Sequence, residues 1–325
     1  MHHLVTSLLP LAAAGTPLAA RQVRPLIPLL PEHLTDIMAL AALCASAAGT
    51  TRFLCGIINA KSGRCAENCA FCAQSAHYDT GSPVYPLVGR DDLLARAEAL
   101  AGAGAAYMGI VISGTGPTNA DFDRLLEDAA HITARTGIGL CASLGLLHDD
   151  QAVRLRQAGF TSYHHNLETA ASHYAAICGT HGYAPREETV RLARRAGLRV
   201  CSGGIFGLGE SWEQRLELSA AIAELGAHSI PVNFLNPIPG TPLEHRRPLP
   251  VHEALGIVSL LRLMHPKRDI VICGGRGRTL GNLDALLFNA GANGLMTGDY
   301  LTTSGSPYER DLAMLAALGI ALPSA

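Results

Sequence analysis

FLCGIINAKSGRCAENCAFC, residues Phe53 to Cys72, joins an apolar run directly to a loop that carries cysteines at positions 65, 69 and 72. The run from Phe53 to Lys61 has the length and β-branched content of a buried strand. The spacing C-x3-C-x2-C in the loop presents Cys65, Cys69 and Cys72 to one small volume. Thiolate is the soft ligand that iron-sulfur chemistry selects, so three of them can hold three corners of a four-iron cube and leave the fourth iron open. A zinc site is the alternative. Structural zinc takes a fourth protein ligand and favours paired C-x2-C spacings.

Outward from this stretch, short apolar runs alternate with amphipathic segments of ten to twenty residues, the pattern of a parallel α/β sheet. Eight strands are expected: Phe53 to Lys61, Tyr107 to Ser113, Gly139 to Gly145, Thr161 to Asn166, Arg199 to Ile205, Ser229 to Phe234, Asp269 to Gly274 and Gly294 to Gly298. Eight favour closure, so the fold class is α/β, a (βα)8 TIM-type barrel spanning 51–325, preceded by an N-terminal helical extension over 1–50. Gly104, Gly159, Gly197 and Gly291 stand where helix carboxy-terminal caps are expected.

Composition agrees. Of 325 residues, 48% are hydrophobic and 16% charged, with a net charge of -2, which suits a large buried core and gives no footing for nucleic acid. Nine cysteines in a long enzyme-like chain read as reduced ligands, which points to the cytoplasm. The apolar stretch Leu4 to Ala20 is broken by Pro10 and Pro17 and no Lys or Arg precedes it, so it reads as a helical arm, and no membrane span is expected.

Four further cysteines share a pattern. Cys55, Cys141, Cys201 and Cys273 fall on the first, third, fifth and seventh expected strands. Alternate strands of a (βα)8 barrel fill common interior layers, so these side chains converge on the axis. Any one of them alone would read as small buried filler. Together they suggest a second, auxiliary iron-sulfur cluster. The two remaining, Cys44 and Cys178, are expected to serve packing.

The cluster loop resembles the signature loop of the radical S-adenosylmethionine enzymes. Over nearly its whole length the chain is similar to the biotin synthases, on the strings KSGRCAENCAFCAQS (61–75), YHHNLET (163–169), VCSGGIFGLGE (200–210), GTPL (240–243) and LTT (301–303). The resemblance implies a 4Fe-4S cluster on Cys65, Cys69 and Cys72 that chelates and cleaves S-adenosylmethionine. It implies sulfur insertion into dethiobiotin from the auxiliary cluster, a low-potential electron donor such as flavodoxin or ferredoxin, and a homodimer. Asn166 is implied to contact both the cofactor ribose and the substrate, Glu168 the ribose hydroxyls, and Arg186 the cofactor carboxylate, with Phe234 beside the cofactor. Asn233 is implied to face the ureido ring, and Thr302 and Thr303 the substrate carboxylate.

The sequence also departs from the familiar family pattern, in which a two-iron auxiliary cluster takes cysteines from strands two, three and five and an arginine from strand seven. The matching positions here are near Gly109 and at Val271, neither of which can ligate. Cys273 stands two residues beyond Val271 on the same strand face. The expectation is a rebuilt cluster, of two-iron or four-iron type, on Cys141, Cys201 and Cys273 with Cys55 as fourth ligand or neighbour. The alternatives are a maturase-like radical enzyme that acts on another small molecule without sulfur insertion, and a non-catalytic cluster carrier. His164 stands where the family has asparagine. The glycines from Gly203 to Gly209 are expected to let backbone approach the adenosyl group.

Overall fold

In the computed structural model, which describes residues 1–322, nine parallel strands form one sheet. They are β1 (Phe53–Lys61), β2 (Tyr107–Ile112), β3 (Gly139–Ser143), β4 (Phe160–His164), β5 (Arg199–Cys201), β6 (Gly204–Phe206), β7 (Ser229–Phe234), β8 (Asp269–Ile272) and β9 (Gly294–Met296). The order β5-β4-β3-β2-β1-β9-β8-β7-β6 becomes a ring where Cys201 of β5 pairs with Ser229 of β7. β5 and β6 are two halves of one barrel strand, so nine segments occupy eight positions of a closed (βα)8 barrel.

The break in the fifth position has a local cause. Ser202 donates to the Ser229 carbonyl at 2.9 Å, but two residues on, the same edge of β7 presents Pro231, which has no N–H to return. The chain presses in instead, and a Cβ at Gly203 would fall 2.0 Å from the Pro231 carbonyl oxygen.

Helices such as Arg90–Gly102, Asn119–Thr136 and Val251–Met264 cover the outside. Leu93, Ala97 and Leu100 of the first are buried, as the 3.6-residue period of its apolar positions requires. Gly104, Gly159, Gly197 and Gly291 all take left-handed φ after their helices, as expected of caps.

Before β1 lie the helices His3–Ala13 and Leu30–Ala47, with short turns of helix between them. By length and composition alone, the helical run Ala20–Ala47 could cross a membrane. In the fold its apolar face, through Leu26, Leu30, Ile37 and Leu40, forms a second buried layer with Leu260 and Leu263 of the helix Val251–Met264. Gly256 permits that approach, since a Cβ there would lie 2.6 Å from Leu30 Cδ2.

On the other side of the same helix, the fully buried Arg262 donates to the carbonyls of Gly291, His265, Pro266 and Arg268 and to Asn293 Oδ1. Asn293 Oδ1 also accepts from the Ile270 amide at 2.8 Å, so this hub fixes where β8 and β9 begin.

Candidate active site

The loop after β1 folds back on itself. Cys65 donates its amide to the Gln74 carbonyl at 3.0 Å, Ala76 donates to the Cys65 carbonyl at 2.7 Å, and Cys72 donates to the Cys69 carbonyl at 2.9 Å. Arg64, immediately before the first thiol, takes φ 52°, a left-handed turn that starts the loop. Burial pushes the Cys72 thiol up to about 11, against the opposing pull of the Gln74 and Ser75 backbone amides and with the added repulsion of Cys65 and Glu168. Burial also raises Cys69, and Cys178 beside it adds to the effect. A metal displaces such protons, and three thiols on one short loop are the soft donors that an iron-sulfur cluster takes.

At the carboxy end of β4, Asn166 and Glu168 face the same region. Glu168 is held at φ 69°, rare for a residue with a side chain and costly by about 1–3 kcal/mol. Its backbone is pinned on both sides: the Glu168 amide donates to the Gly203 carbonyl at 3.3 Å and the Ile205 amide donates to the Glu168 carbonyl at 2.8 Å. Gly204 makes this possible, since a Cβ there would lie 2.4 Å from the Glu168 carbonyl oxygen. The space left by Gly203 and Gly204 is thus filled by Pro231 and Glu168, the chain's own backbone, where the sequence reading placed the adenosyl group.

Arg186 is 8% exposed. It donates from Nε to the Tyr174 hydroxyl at 2.6 Å and from Nη1 to the Asn166 carbonyl at 2.9 Å, with Glu168 Oε1 at 3.5 Å. It stands behind Asn166 and Glu168 and within electrostatic reach of Cys69. Burial raises Glu168, and the Arg186 charge opposes that shift.

One cavity of about 390 Å³ occupies the barrel axis. Cys55, Cys141, Cys201 and Cys273 all line it, as do Gly109 and Val271, the two positions without a ligating atom. Registry explains the convergence: Gly109 pairs with Cys141, Cys141 with Ser162, and His164 with Cys201 around adjoining strands. Burial raises Cys55 to about 12, with Cys141 adding repulsion, and Cys141 to about 11. Cys201 and Cys273 are pushed well up by burial and then by the neighbouring thiols. Four thiols that line one cavity supply the soft donors that an iron-sulfur centre takes.

Nearer the mouth, Asn166, Glu168, Asn233, Phe234, Thr302 and Thr303 line the same cavity. The Asn233 amide is half committed: Nδ2 donates to the Gly204 carbonyl at 3.3 Å and Oδ1 accepts from the Gly274 amide at 2.9 Å. One hydrogen and one lone pair remain for a ligand. Phe234 is 2% exposed, and its carbonyl lies so near Gly275 that a Cβ there would be 1.9 Å away. The loop holding Thr302 and Thr303 is tied to β1 where Asn59 Nδ2 donates to the Leu301 carbonyl at 2.8 Å.

Two residues have partners that the sequence left unassigned: His164, noted only as standing where the family has asparagine, and Cys178, expected to serve packing. His164 bridges Ser143 Oγ at 3.2 Å and Asn166 Oδ1 at 3.0 Å on the cavity wall, so it orients Asn166. Cys178 does pack, but it does so against Cys69, with the two sulfurs 3.7 Å apart. The C-x-x-H spacing of Cys178 and His181 was the available signal. Cys44, fully buried with Sγ 3.9 Å from the Arg262 carbonyl, serves packing as expected.

Residues 60–222 match the family model of the Radical SAM superfamily, and residues 231–321 match the Biotin and Thiamin Synthesis associated domain. The chain is 56% identical over 293 residues to a biotin synthase of Nitratidesulfovibrio vulgaris (strain DP4), covering 90% of this chain and 81% of that one. It is 51% identical over 273 residues to a biotin synthase of Geobacter sulfurreducens, covering 84% and 83%. Among solved structures it is similar to methylornithine synthase, with TM-score 0.84 over 98% of this chain and 97% of that one, at 22% identity, a likeness of fold alone.

Proposed function

The chain belongs to the biotin synthase family of radical S-adenosylmethionine enzymes, and from that premise we propose how its own residues divide the family's reaction between two iron-sulfur centres. It is a sulfurtransferase that converts dethiobiotin to biotin with a 4Fe-4S cluster, S-adenosylmethionine and an auxiliary iron-sulfur cluster. When bound, the first cluster with S-adenosylmethionine supplies the 5'-deoxyadenosyl radical that takes hydrogen from carbon, and the auxiliary cluster supplies the sulfur.

Cys65, Cys69 and Cys72 hold the first cluster. Asn166 and Glu168 bind the cofactor ribose, with Phe234 beside it. Arg186 neutralises this end of the site, and its fork of donors suits the cofactor carboxylate. Asn233 gives its spare donor and acceptor to the ureido ring of dethiobiotin. Thr302 and Thr303 take the valeryl carboxylate, and Asn166, held by His164, reaches both ligands.

The auxiliary cluster is rebuilt relative to the familiar form, with Cys141, Cys201 and Cys273 as ligands and Cys55 as the fourth, which favours four irons over two. The carrying observation is that these four thiols line one cavity in which Gly109 and Val271 stand bare. The reading also includes a low-potential donor of the flavodoxin or ferredoxin kind, a homodimer, a cytoplasmic setting and an extension over 1–50 ahead of one barrel domain over 51–325.

Replacing Cys273 by Ser tests the cluster assignment. Iron per folded chain should fall and biotin formation should stop, while 5'-deoxyadenosine still forms. Cys55→Ser should match it if Cys55 ligates. Wild-type iron and full biotin yield in Cys273→Ser would return Cys273 to the role of filler.

A further inference from the structure

Beside the cluster loop, three groups that none of these roles employs meet from two segments of chain. Glu67 lies between Cys65 and Cys69, while Cys178 and His181 lie in the turn that follows the helix Ala171–Tyr174. Glu67 Oε2 is 2.5 Å from His181 Nδ1, and Cys178 Sγ is 3.3 Å from the same nitrogen. One ligand atom from each lies within 4.8 Å of the other two. The loop and the turn are locked together by Asn68, whose Oδ1 accepts from the Gly179 and Thr180 amides at 2.8 and 3.2 Å. Cys178 is 4% exposed, while the His181 and Glu67 side chains keep 14% and 13%. The sulfur end is therefore closed and the nitrogen and oxygen end reachable.

The donor set selects the ligand. Magnesium and calcium take oxygen, whereas one thiolate, one imidazole and one carboxylate suit a borderline cation such as ferrous iron or zinc.

The neighbour says what such a metal is for. Three thiols hold three irons of the loop cluster, and the fourth, open to cofactor, has no protein ligand. It is the iron that mild oxidation removes: the 4Fe-4S cluster loses one Fe2+ and gives one electron to the oxidant, leaving a 3Fe-4S cluster. Refilling reverses this, with one electron from the low-potential donor that cofactor cleavage already requires and one Fe2+ entering the vacant corner. We propose that Glu67, Cys178 and His181 bind one ferrous ion and hold it in reserve for that corner, a role that rests on the loop-cluster reading above.

Two linked measurements test this. Enzyme with both clusters built from unenriched iron receives S-adenosylmethionine, to block exchange at the open corner, and then one equivalent of 57Fe2+. After desalting, Mössbauer spectra should show about one high-spin ferrous 57Fe per chain, displaced by added Zn2+ and not by Mg2+. Retention should fall at least fivefold in both Cys178→Ala and His181→Ala, each checked to carry wild-type cluster iron. Equal retention in wild type and variants, or none in wild type, overturns the site.

The 57Fe-loaded enzyme is next freed of cofactor, oxidised with ferricyanide until electron paramagnetic resonance shows the three-iron signal, and reduced with dithionite without added iron. Wild type should regain the four-iron cluster with 57Fe inside it, and both variants should remain three-iron until Fe2+ is supplied. Retained 57Fe that stays outside the cluster overturns the reserve role. Failure of the loop-cluster reading would look different, since the three-iron signal would then persist in Cys65→Ala, whose loop keeps only two thiols.

Discussion

At the scale of single residues, the site is built from side chains that already have work to do within the fold. Asn233 uses one donor and one acceptor to tie Gly204 to Gly274, and the proposed substrate role falls to the remaining hydrogen and lone pair. Alanine there should slow biotin formation while leaving 5'-deoxyadenosine formation partly intact, because the cleaving cluster lies elsewhere. A buried polar partner left unpaired costs about 1–3 kcal/mol, roughly five- to a hundredfold in rate. The ratio of biotin to 5'-deoxyadenosine is the measurement, and an unchanged ratio would remove Asn233 from the substrate site. The three loop cysteines were legible because their spacing puts all of them on one short loop. Cys178 was not, because its meeting with Cys69 joins positions 109 residues apart and depends on how the turn after Tyr174 packs.

At the scale of elements, the eight barrel positions could be read from alternating apolar runs, since a parallel strand buried on both faces must be short and continuous in its hydrophobicity. The split of the fifth position could not, because its cause lies in the next strand, at Pro231. That split places β6 against the end of β4 and so sets Glu168 in its left-handed turn. Gly204→Ala would put a methyl group 2.4 Å from the Glu168 carbonyl. Overpacking of this kind costs about 1–3 kcal/mol. The expected outcome is a folded protein whose affinity for S-adenosylmethionine is roughly ten- to a hundredfold weaker, measured by equilibrium binding. Wild-type affinity would show that the β4–β6 contact does not position the cofactor ribose.

At the scale of the whole molecule, buried imidazoles make the fold sensitive to acid. His265 is 6% exposed, with Nε2 2.8 Å from Ser219 Oγ. Burial, aided by Arg268 and Arg262, lowers it from 6.5 to about 4. Between those values the unfolded chain binds a proton that the folded chain refuses. The stability due to neutral His265 is therefore complete above pH 6.5 and is lost as pH falls toward 4, by at most about 3 kcal/mol. His265→Gln should unfold more easily at pH 7.5 but lose less than wild type on going to pH 4.5, as read from urea midpoints. Parallel losses would remove His265 as the cause.

The cavity carries a consequence for the sequence of events in turnover. Its wall runs from Phe53 and Tyr107, whose rings meet edge to face at 5.7 Å at the amino-terminal end of the strands, past the inner thiols to Thr302 and Thr303 at the mouth. Dethiobiotin docked on those threonines, as proposed, would stand between the mouth and the inner thiols. On that reading the sulfur would be aboard before dethiobiotin docks, and departing biotin would clear the mouth. Rebuilding of the inner cluster from iron and sulfide should therefore slow markedly when dethiobiotin and S-adenosylmethionine are both present. On that account, catalysis proceeds in rounds, each separated by an interval in which the empty barrel is recharged.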